Sequence, residues 1–120
     1  MGQAFEDLLV WQRAMEMTVF VYEATRCFPR EEIYGLTSQL RRAAVSVASN
    51  IAEGRGRISQ GEFRQLLGIA QGSNYEVQTQ IQVAKQLKMG EPELLCKAEK
   101  LTVEVSKMLS AFIASLEARS

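Results

Sequence analysis

The sequence contains no histidine, and other residues of common active-site chemistry are scarce. Without histidine, the Ser-His-Asp and Cys-His arrangements of nucleophilic catalysis are excluded, together with the commonest ligand of transition metals. The two cysteines, Cys27 and Cys96, are far apart and form no CxxC pattern, and neither has an evident activating partner. We therefore expect a protein that is not an enzyme and has no catalytic residues, metal ion or cofactor.

Net charge and long apolar runs are also absent. Fourteen basic and fourteen acidic residues cancel, so no long-range field draws the whole molecule to nucleic acid or to an anionic membrane. No apolar run approaches the roughly 20 residues that cross a bilayer, and the N-terminus shows no basic region followed by an apolar run and a cleavage site. We expect a cytoplasmic protein with free thiols and no membrane partner.

The chain has the length and composition of one domain. Its 120 residues suffice for a single hydrophobic core, and a hydrophobic share of 47% with only two prolines excludes a disordered or fibrous chain. Apolar residues recur at helical spacing, and no strand-like alternation is present. The pattern predicts four helices over about residues 6–27, 30–53, 60–89 and 92–117, hence an all-α, antiparallel up-and-down four-helix bundle.

Turn and capping residues predict where the second and third helices meet. Gly54 and Gly56 are predicted to end the second helix, because glycine reaches the left-handed conformation of many C-terminal caps. Ser59 and Glu62 match a capping box, in which the hydroxyl of the first residue accepts a hydrogen bond from the amide of the fourth. This box predicts the start of the third helix.

Two helix faces carry small or apolar residues beyond those that a core stripe needs. On the second helix these are Val45, Ala48 and Ala52, and on the third they are Gly68, Gly72, Tyr75 and Val83. Within a monomer, such faces let neighbouring helices approach closely. In an oligomer they are natural subunit contacts, since a helix in a monomeric bundle needs only one apolar stripe. We expect them to form an oligomer interface.

Arginine is concentrated around the end of the second helix and beyond it. The candidate nucleic-acid contacts are Arg41, Arg42, Arg55, Arg57 and Arg64, because guanidinium groups pair with phosphate oxygens. The alternative is structural: Arg42, Asn50 and Glu53 would form a polar network, and Arg55 and Arg57 would be helix-end cations. The lack of aromatic residues interleaved with these arginines favours the structural interpretation.

Several segments resemble one known family. They are Phe5–Leu8, Val10–Trp11, Phe28–Pro29, Tyr34–Leu36, Gln39–Ser46, Ser49–Gly54, Glu62–Phe63 and Ile69–Ser73. They resemble the bacterial four-helix bundle proteins encoded by 23S ribosomal-RNA intervening sequences, with the Gln39 to Gly54 region the most specific. The fourth helix matches only in length and pattern. The resemblance implies a left-handed bundle in a ring-like homopentamer, without known catalytic activity and with an uncertain cellular role.

The family is also similar in fold to the accessory proteins of diversity-generating retroelements, which are basic pentamers that engage RNA and a reverse transcriptase. This chain departs from them in its zero net charge. Our leading interpretation is therefore a non-catalytic, homo-oligomeric scaffold or adaptor whose principal partner is itself. The alternative is an accessory protein that binds structured RNA, or an RNA-binding protein, with the arginines repeated around the oligomer.

Overall fold

The computed structural model describes residues 4–119, and these residues form helices and turns with no strand. The long helices are α1 (Leu9–Thr25), α2 (Leu36–Arg55), α3 (Gln60–Gln86) and α4 (Pro92–Arg119). Short 3-10 turns lie at Phe5–Asp7, before α1, and at Arg30–Glu32, before α2. The predicted all-α class is confirmed.

The four helices pack side by side as an up-and-down bundle. Helix α1 contacts α2 and α4, and α3 contacts the same two helices. Each helix therefore packs against two others. The bundle measures 46 × 22 × 20 Å. Within residues 4–119 no helix has both the length and the apolar character needed to span a membrane.

One hydrophobic core runs between the helices for the length of the bundle. All four helices contribute large side chains that are almost completely buried. The aliphatic and sulfur-containing ones are Met17, Val21, Leu40, Val47, Ile51, Leu67, Val77, Ile81, Leu95, Val105 and Leu109. Their burial at steps of three and four residues is the physical origin of the helical pattern in the sequence. The opposite faces of the helices remain available for other roles.

Helix α2 begins at Leu36, later than the predicted start near Arg30. After Pro29 the chain makes only a 3-10 turn, and Gly35, at φ −111° and ψ −116°, separates this turn from the helix. The Leu36 amide donates to the Glu32 carboxylate at 3.1 Å, which satisfies one of the free amides at the helix start. The apolar residues therefore keep their helical spacing across Gly35, where local hydrogen bonds interrupt the helix.

The connection between α2 and α3 differs from the sequence expectation in one respect. The predicted left-handed glycine cap is wrong: Gly54 lies inside α2, and Gly56 caps the helix at φ −84°, in the right-handed region. Position 54 needs glycine for space, because a Cβ atom there would lie 2.9 Å from Cδ1 of Phe63. The predicted cap of α3 is formed, with the Glu62 amide donating to the Ser59 hydroxyl at 3.1 Å.

Candidate functional site

An apolar groove lies on the surface between α1 and α2. The predicted interface residues Val45, Ala48 and Ala52 line it from α2, while Trp11 and Met15 line it from α1. Thr18 and Ser49 complete its walls, its volume is about 280 Å³, and none of the lining residues is charged. We call this surface the α1–α2 groove. Ala48 is buried and forms part of its floor, whereas Val45 and Met15 are exposed at its rim.

Sequence reasoning had identified only the α2 side of this groove. Trp11 and Met15 lie one helical turn apart on α1 and continue the helical apolar pattern, so a linear sequence does not separate them from core residues. The structure leaves Met15 exposed and Trp11 half-buried. Together they make the α1–α2 groove wider and more apolar than the small α2 residues alone would suggest.

A second apolar surface lies on α3, opposite its core side. Gly68, Gly72, Tyr75 and Val83 lie there, as the sequence pattern placed them, and Tyr75 is 50% exposed. Thr79 lies among them, and we call this surface the α3 outer face. No atom outside the glycine's own local backbone lies within 4 Å of the position where a Cβ atom would stand at Gly68 or Gly72. Close packing within the described chain therefore does not explain these glycines.

The five candidate arginines lie in two groups along the bundle. Arg41 and Arg42 are in the first half of α2, and Arg55 is its last residue, about 21 Å farther along the helix at 1.5 Å per residue. Arg57 follows α2 directly, and Arg64 lies near the start of α3, at the same end of the bundle. A ligand in contact with all five would have to span most of the length of α2.

The arginines also differ in their contacts. Arg57 forms an ion pair with Glu53 one turn earlier, and the Arg55 guanidinium lies 6.0 Å from the centre of the Phe63 ring. Arg42 is exposed in a polar groove between α2 and α3 that Glu76 also lines. Among the described residues, Arg42, Arg55 and Arg64 are in no ion pair. These three keep their positive charge available.

Arg42, Asn50 and Glu53, which the sequence placed in one polar network, contact different partners. The Asn50 side-chain amide donates to the backbone carbonyl and hydroxyl of Ser46, at 2.8 and 2.9 Å. The Ser46 hydroxyl is in turn 2.8 Å from the Ser73 hydroxyl. This Asn50–Ser46–Ser73 chain of hydrogen bonds links α2 to α3. Glu53 instead forms an ion pair with Arg57, and Arg42 takes part in neither contact.

Buried amides connect α3 to α4. The Gln71 amide nitrogen donates to the Ser106 carbonyl and the Ser110 hydroxyl, each at 3.0 Å, and that of Asn74 donates to the Thr102 carbonyl at 2.8 Å. The amide oxygens of Gln71 and Asn74 are buried without a hydrogen-bond partner. Polar contacts of this kind fix the register of two helices, since a shifted pairing would leave more polar atoms unsatisfied.

The described residues offer little reactive chemistry. No group of three or more histidine, cysteine, aspartate or glutamate side chains within residues 4–119 could hold a metal ion. Cys27 is exposed and Cys96 is half-buried. The Ser46 and Ser73 hydroxyls are hydrogen-bonded to each other and have no histidine that could act as a base.

Comparisons with known proteins agree on the type of fold. The model of one protein family, described as 23S rRNA-intervening sequence protein, matches residues 6–111, and this confirms the resemblance seen in the sequence. None of the curated proteins compared with the chain matches it.

A similar crystal structure, at 1.70 Å resolution, is that of a protein with unknown function from the S23 ribosomal protein family of Bacteroides thetaiotaomicron VPI-5482. Its TM-score is 0.77, and the match covers 88% of this chain and 98% of that one. The two sequences are 19% identical, so the similarity supports the fold alone.

Proposed function

The chain belongs to the 23S rRNA-intervening sequence protein family, and we propose that it is a homo-oligomeric helical-bundle scaffold without catalytic activity of its own. The observation that carries the proposal is the pair of unpacked glycines on the α3 outer face. An interior glycine costs a helix about 1 kcal/mol relative to alanine. Gly68 and Gly72 both accept this cost at positions where the described subunit has room for a side chain.

A second copy of the chain gives these glycines a role. Without side chains at positions 68 and 72, the backbone of α3 is open to close approach by another subunit. Tyr75 and Val83 on the same face are 50% and 41% exposed, and that contact would bury them. The glycines would then support assembly at the expense of the stability of the isolated helix.

The α1–α2 groove is the surface that we propose as the partner of the α3 outer face. The groove is a recess with no charged lining, and the α3 outer face presents the aromatic ring of Tyr75 as a projection. Burial of both surfaces would remove apolar area from water, which contributes about 25 cal/mol per Å². Because the two surfaces differ, the contact is heterologous, and repeated copies of it close into a ring or continue as a fibre.

The family resemblance favours closure as a pentamer. Size-exclusion chromatography coupled to light scattering tests the assembly, because the scattered intensity gives mass independently of the elongated shape. Five chains of 13.4 kDa correspond to about 67 kDa (5 × 13.4), and we expect this mass at micromolar concentration. A mass of 13.4 kDa at the same concentration would contradict the scaffold proposal.

The absence of catalysis and the cytoplasmic location are parts of the same proposal. The descriptions of the family and of the similar crystal structure name no catalytic activity. In residues 4–119, no histidine or metal-binding group accompanies the serine and cysteine side chains. The family description refers to 23S ribosomal RNA, which supports a place in the cytoplasm.

Binding of structured RNA is a second candidate function, and the state of the arginines favours it. Within the described chain, four of the five candidate arginines have no carboxylate partner, and only Arg57 is in an ion pair. A ring would repeat these cations once per subunit, so weak phosphate contacts would add up by avidity. The partner would be RNA itself or a protein that carries it.

Titration with structured RNA and with DNA at several salt concentrations tests this second function. We expect affinity to fall as salt rises, because arginines that neutralise phosphates release the counterions condensed on the nucleic acid. The double variant Arg55→Ala/Arg57→Ala should weaken binding, whereas the control Lys100→Ala/Lys107→Ala, which removes two exposed charges from α4, should not. Binding that is insensitive to salt, or equal in both double variants, would contradict it.

A further inference from the structure

Three arginines line a cleft between the end of α1 and the start of α2. Arg26, Arg30 and Arg41 share this cleft with Thr25 and Thr37 and with an apolar part formed by Phe28, Pro29 and Ile33, and its volume is about 250 Å³. Arg26 directly follows α1, Arg30 is in the 3-10 turn, and Arg41 is one turn inside α2. The sequence singles out only Arg41, because the other two are brought to it by the fold of the α1–α2 connection.

None of the three arginines is neutralised by a carboxylate. The ion pairs found in residues 4–119 join Arg13 to Glu16 and Glu104, Arg57 to Glu53, and Lys85 to Glu99. Glu31 and Glu32 are the acidic residues of the 3-10 turn, and Glu32 accepts a hydrogen bond from the Leu36 amide at the start of α2. The cleft therefore gathers three positive charges without a paired anion.

Neutral groups hold the Arg41 guanidinium in place. Its Nε donates to the Thr25 hydroxyl at 2.8 Å, and its Nη2 donates to the Tyr22 carbonyl at 3.4 Å. The guanidinium also lies over the Tyr22 ring, 4.6 Å from its centre. A cation that is oriented in this way keeps its full charge and loses little freedom when an anion binds.

The backbone adds a further attraction for anions. Thr37, in the first turn of α2, is 6% exposed and lines the cleft. The Leu36 amide already donates to the Glu32 carboxylate, but the other amides of the first turn have no partner within the helix and point towards its N-terminal end, where the helix dipole favours negative charge. The Thr37 hydroxyl makes no hydrogen bond to another described residue, so it remains free to donate to a ligand.

We propose that this cleft binds a phosphate group, as inorganic phosphate or as a small phosphate monoester. A phosphate monoester carries close to two negative charges at pH 7 and three terminal oxygens, which three guanidinium groups can contact. A carboxylate offers two oxygens and one charge. The small volume of the cleft fits a phosphate with a small substituent. This proposal does not rest on oligomerisation.

The arginines also have a competing role that needs no ligand. Cations are favoured at the C-terminal end of a helix, and Arg26 and Arg41 are both beside the last turn of α1. If that were their whole function, phosphate would find no specific site, and any weak binding would be spread over all exposed arginines. Binding measurements distinguish the two roles directly.

The test is calorimetric titration of the full chain with inorganic phosphate, with ionic strength held constant by chloride. We expect saturable binding at one site per chain, and at least a tenfold loss of affinity in Arg26→Ala/Arg30→Ala, whose targets are both exposed. The control Lys100→Ala/Lys107→Ala removes two exposed charges from α4, outside the cleft, and should bind as the wild type does. No saturation, or equal loss in both variants, would overturn the proposal.

A second measurement locates the site without any substitution. In the wild type, nuclear magnetic resonance should show phosphate-dependent shifts of the Thr37 amide and of the Arg41 Nε–H group, and unchanged signals at either group would overturn the proposal. Glycerol 3-phosphate, a phosphate monoester with a small substituent, should compete with inorganic phosphate for the same site. Displacement of phosphate from this site by a structured RNA would contradict a small-molecule ligand, and we expect no such displacement.

Discussion

Gly54 of α2 lies directly against the ring of Phe63 on α3, so that a Cβ atom at position 54 would come within 2.9 Å of Cδ1 of Phe63. The Phe63 ring packs edge-to-face on Phe112 of α4, with 5.2 Å between the ring centres. Three helices thus meet at one end of the bundle through a position that has no side chain. The glycine there is required by packing and not by backbone conformation.

Gly54→Ala should destabilise the protein. The added methyl group meets a ring that also packs against Phe112, and overpacking of this kind costs about 1–3 kcal/mol. Helix propensity acts the other way, by about 1 kcal/mol. Unfolding in urea, followed by circular dichroism, measures the net effect, which we expect to be a loss.

The matched control is Gly61→Ala in the first turn of α3. An added Cβ there is 4.0 Å from the Ser59 hydroxyl oxygen, an ordinary contact, so the substitution should be neutral or stabilising by up to about 1 kcal/mol. Equal effects at positions 54 and 61 would contradict the packing role of Gly54.

Asn74→Asp should make the free energy of unfolding fall as pH rises. Position 74 is 0% exposed, and burial raises the pKa of the introduced carboxyl group in the folded state. The folded state then favours the protonated form, so stability is greatest below the unfolded pKa of about 4 and falls as pH rises towards the folded pKa. At pH 7 we expect a loss of about 3–5 kcal/mol.

Urea unfolding at pH 4 and at pH 7, each compared with the wild type, measures this effect. Gln65→Asp introduces the same charge at an exposed position of α3 and should show no such pH dependence. If the loss at position 74 were equal at the two pH values, the introduced carboxyl group would not be held in a buried site.

Ser59→Ala should shorten or weaken the start of α3. The Ser59 hydroxyl accepts the Glu62 amide at 3.1 Å, and loss of an N-terminal cap costs about 1 kcal/mol. Ser59→Asp keeps an acceptor and should restore most of the stability. Urea unfolding of both variants checks the expectation, and a wild-type midpoint for Ser59→Ala would contradict it.

The helices could be predicted from the sequence because the residues of their core faces recur regularly. The cap at Ser59 could be predicted because its partner is only three residues away. The sequence was insufficient for the start of α2, where the Glu32 carboxylate competes locally with the periodic pattern. The role of Gly54 also escaped prediction, since it depends on Phe63 from another helix. Contacts between distant residues leave no periodic signal.

Contacts between distant residues also limited what the sequence could predict about the candidate sites. The α2 half of the α1–α2 groove could be predicted from its small residues, but Trp11 and Met15 have the spacing of core residues. Arg41 was identified from a concentration of arginine in the sequence. Its neighbours in the cleft, Arg26 and Arg30, precede α2 and come close only because the chain turns between α1 and α2.

Trp11 provides a natural probe of the proposed assembly, because it is the single tryptophan and it lines the α1–α2 groove. We expect blue-shifted emission that is protected from acrylamide in the assembled protein. Dilution below the association range should shift the emission to the red and increase quenching as water reaches the ring. Emission that does not change while the mass falls would show that the α1–α2 groove is not at the interface.

Sedimentation equilibrium of the wild type, Gly72→Gln and Ala114→Gln measures whether the α3 outer face joins one copy of the chain to another. Both variants add a glutamine side chain at an exposed helical position, the first on the α3 outer face and the second on α4. A Cβ atom at position 72 has no neighbouring atom within 4 Å outside the local backbone, so the fold should be retained. We predict an oligomer for the wild type and Ala114→Gln and a 13.4 kDa monomer for Gly72→Gln. An undiminished oligomer in Gly72→Gln, or a monomeric wild type, would contradict the account.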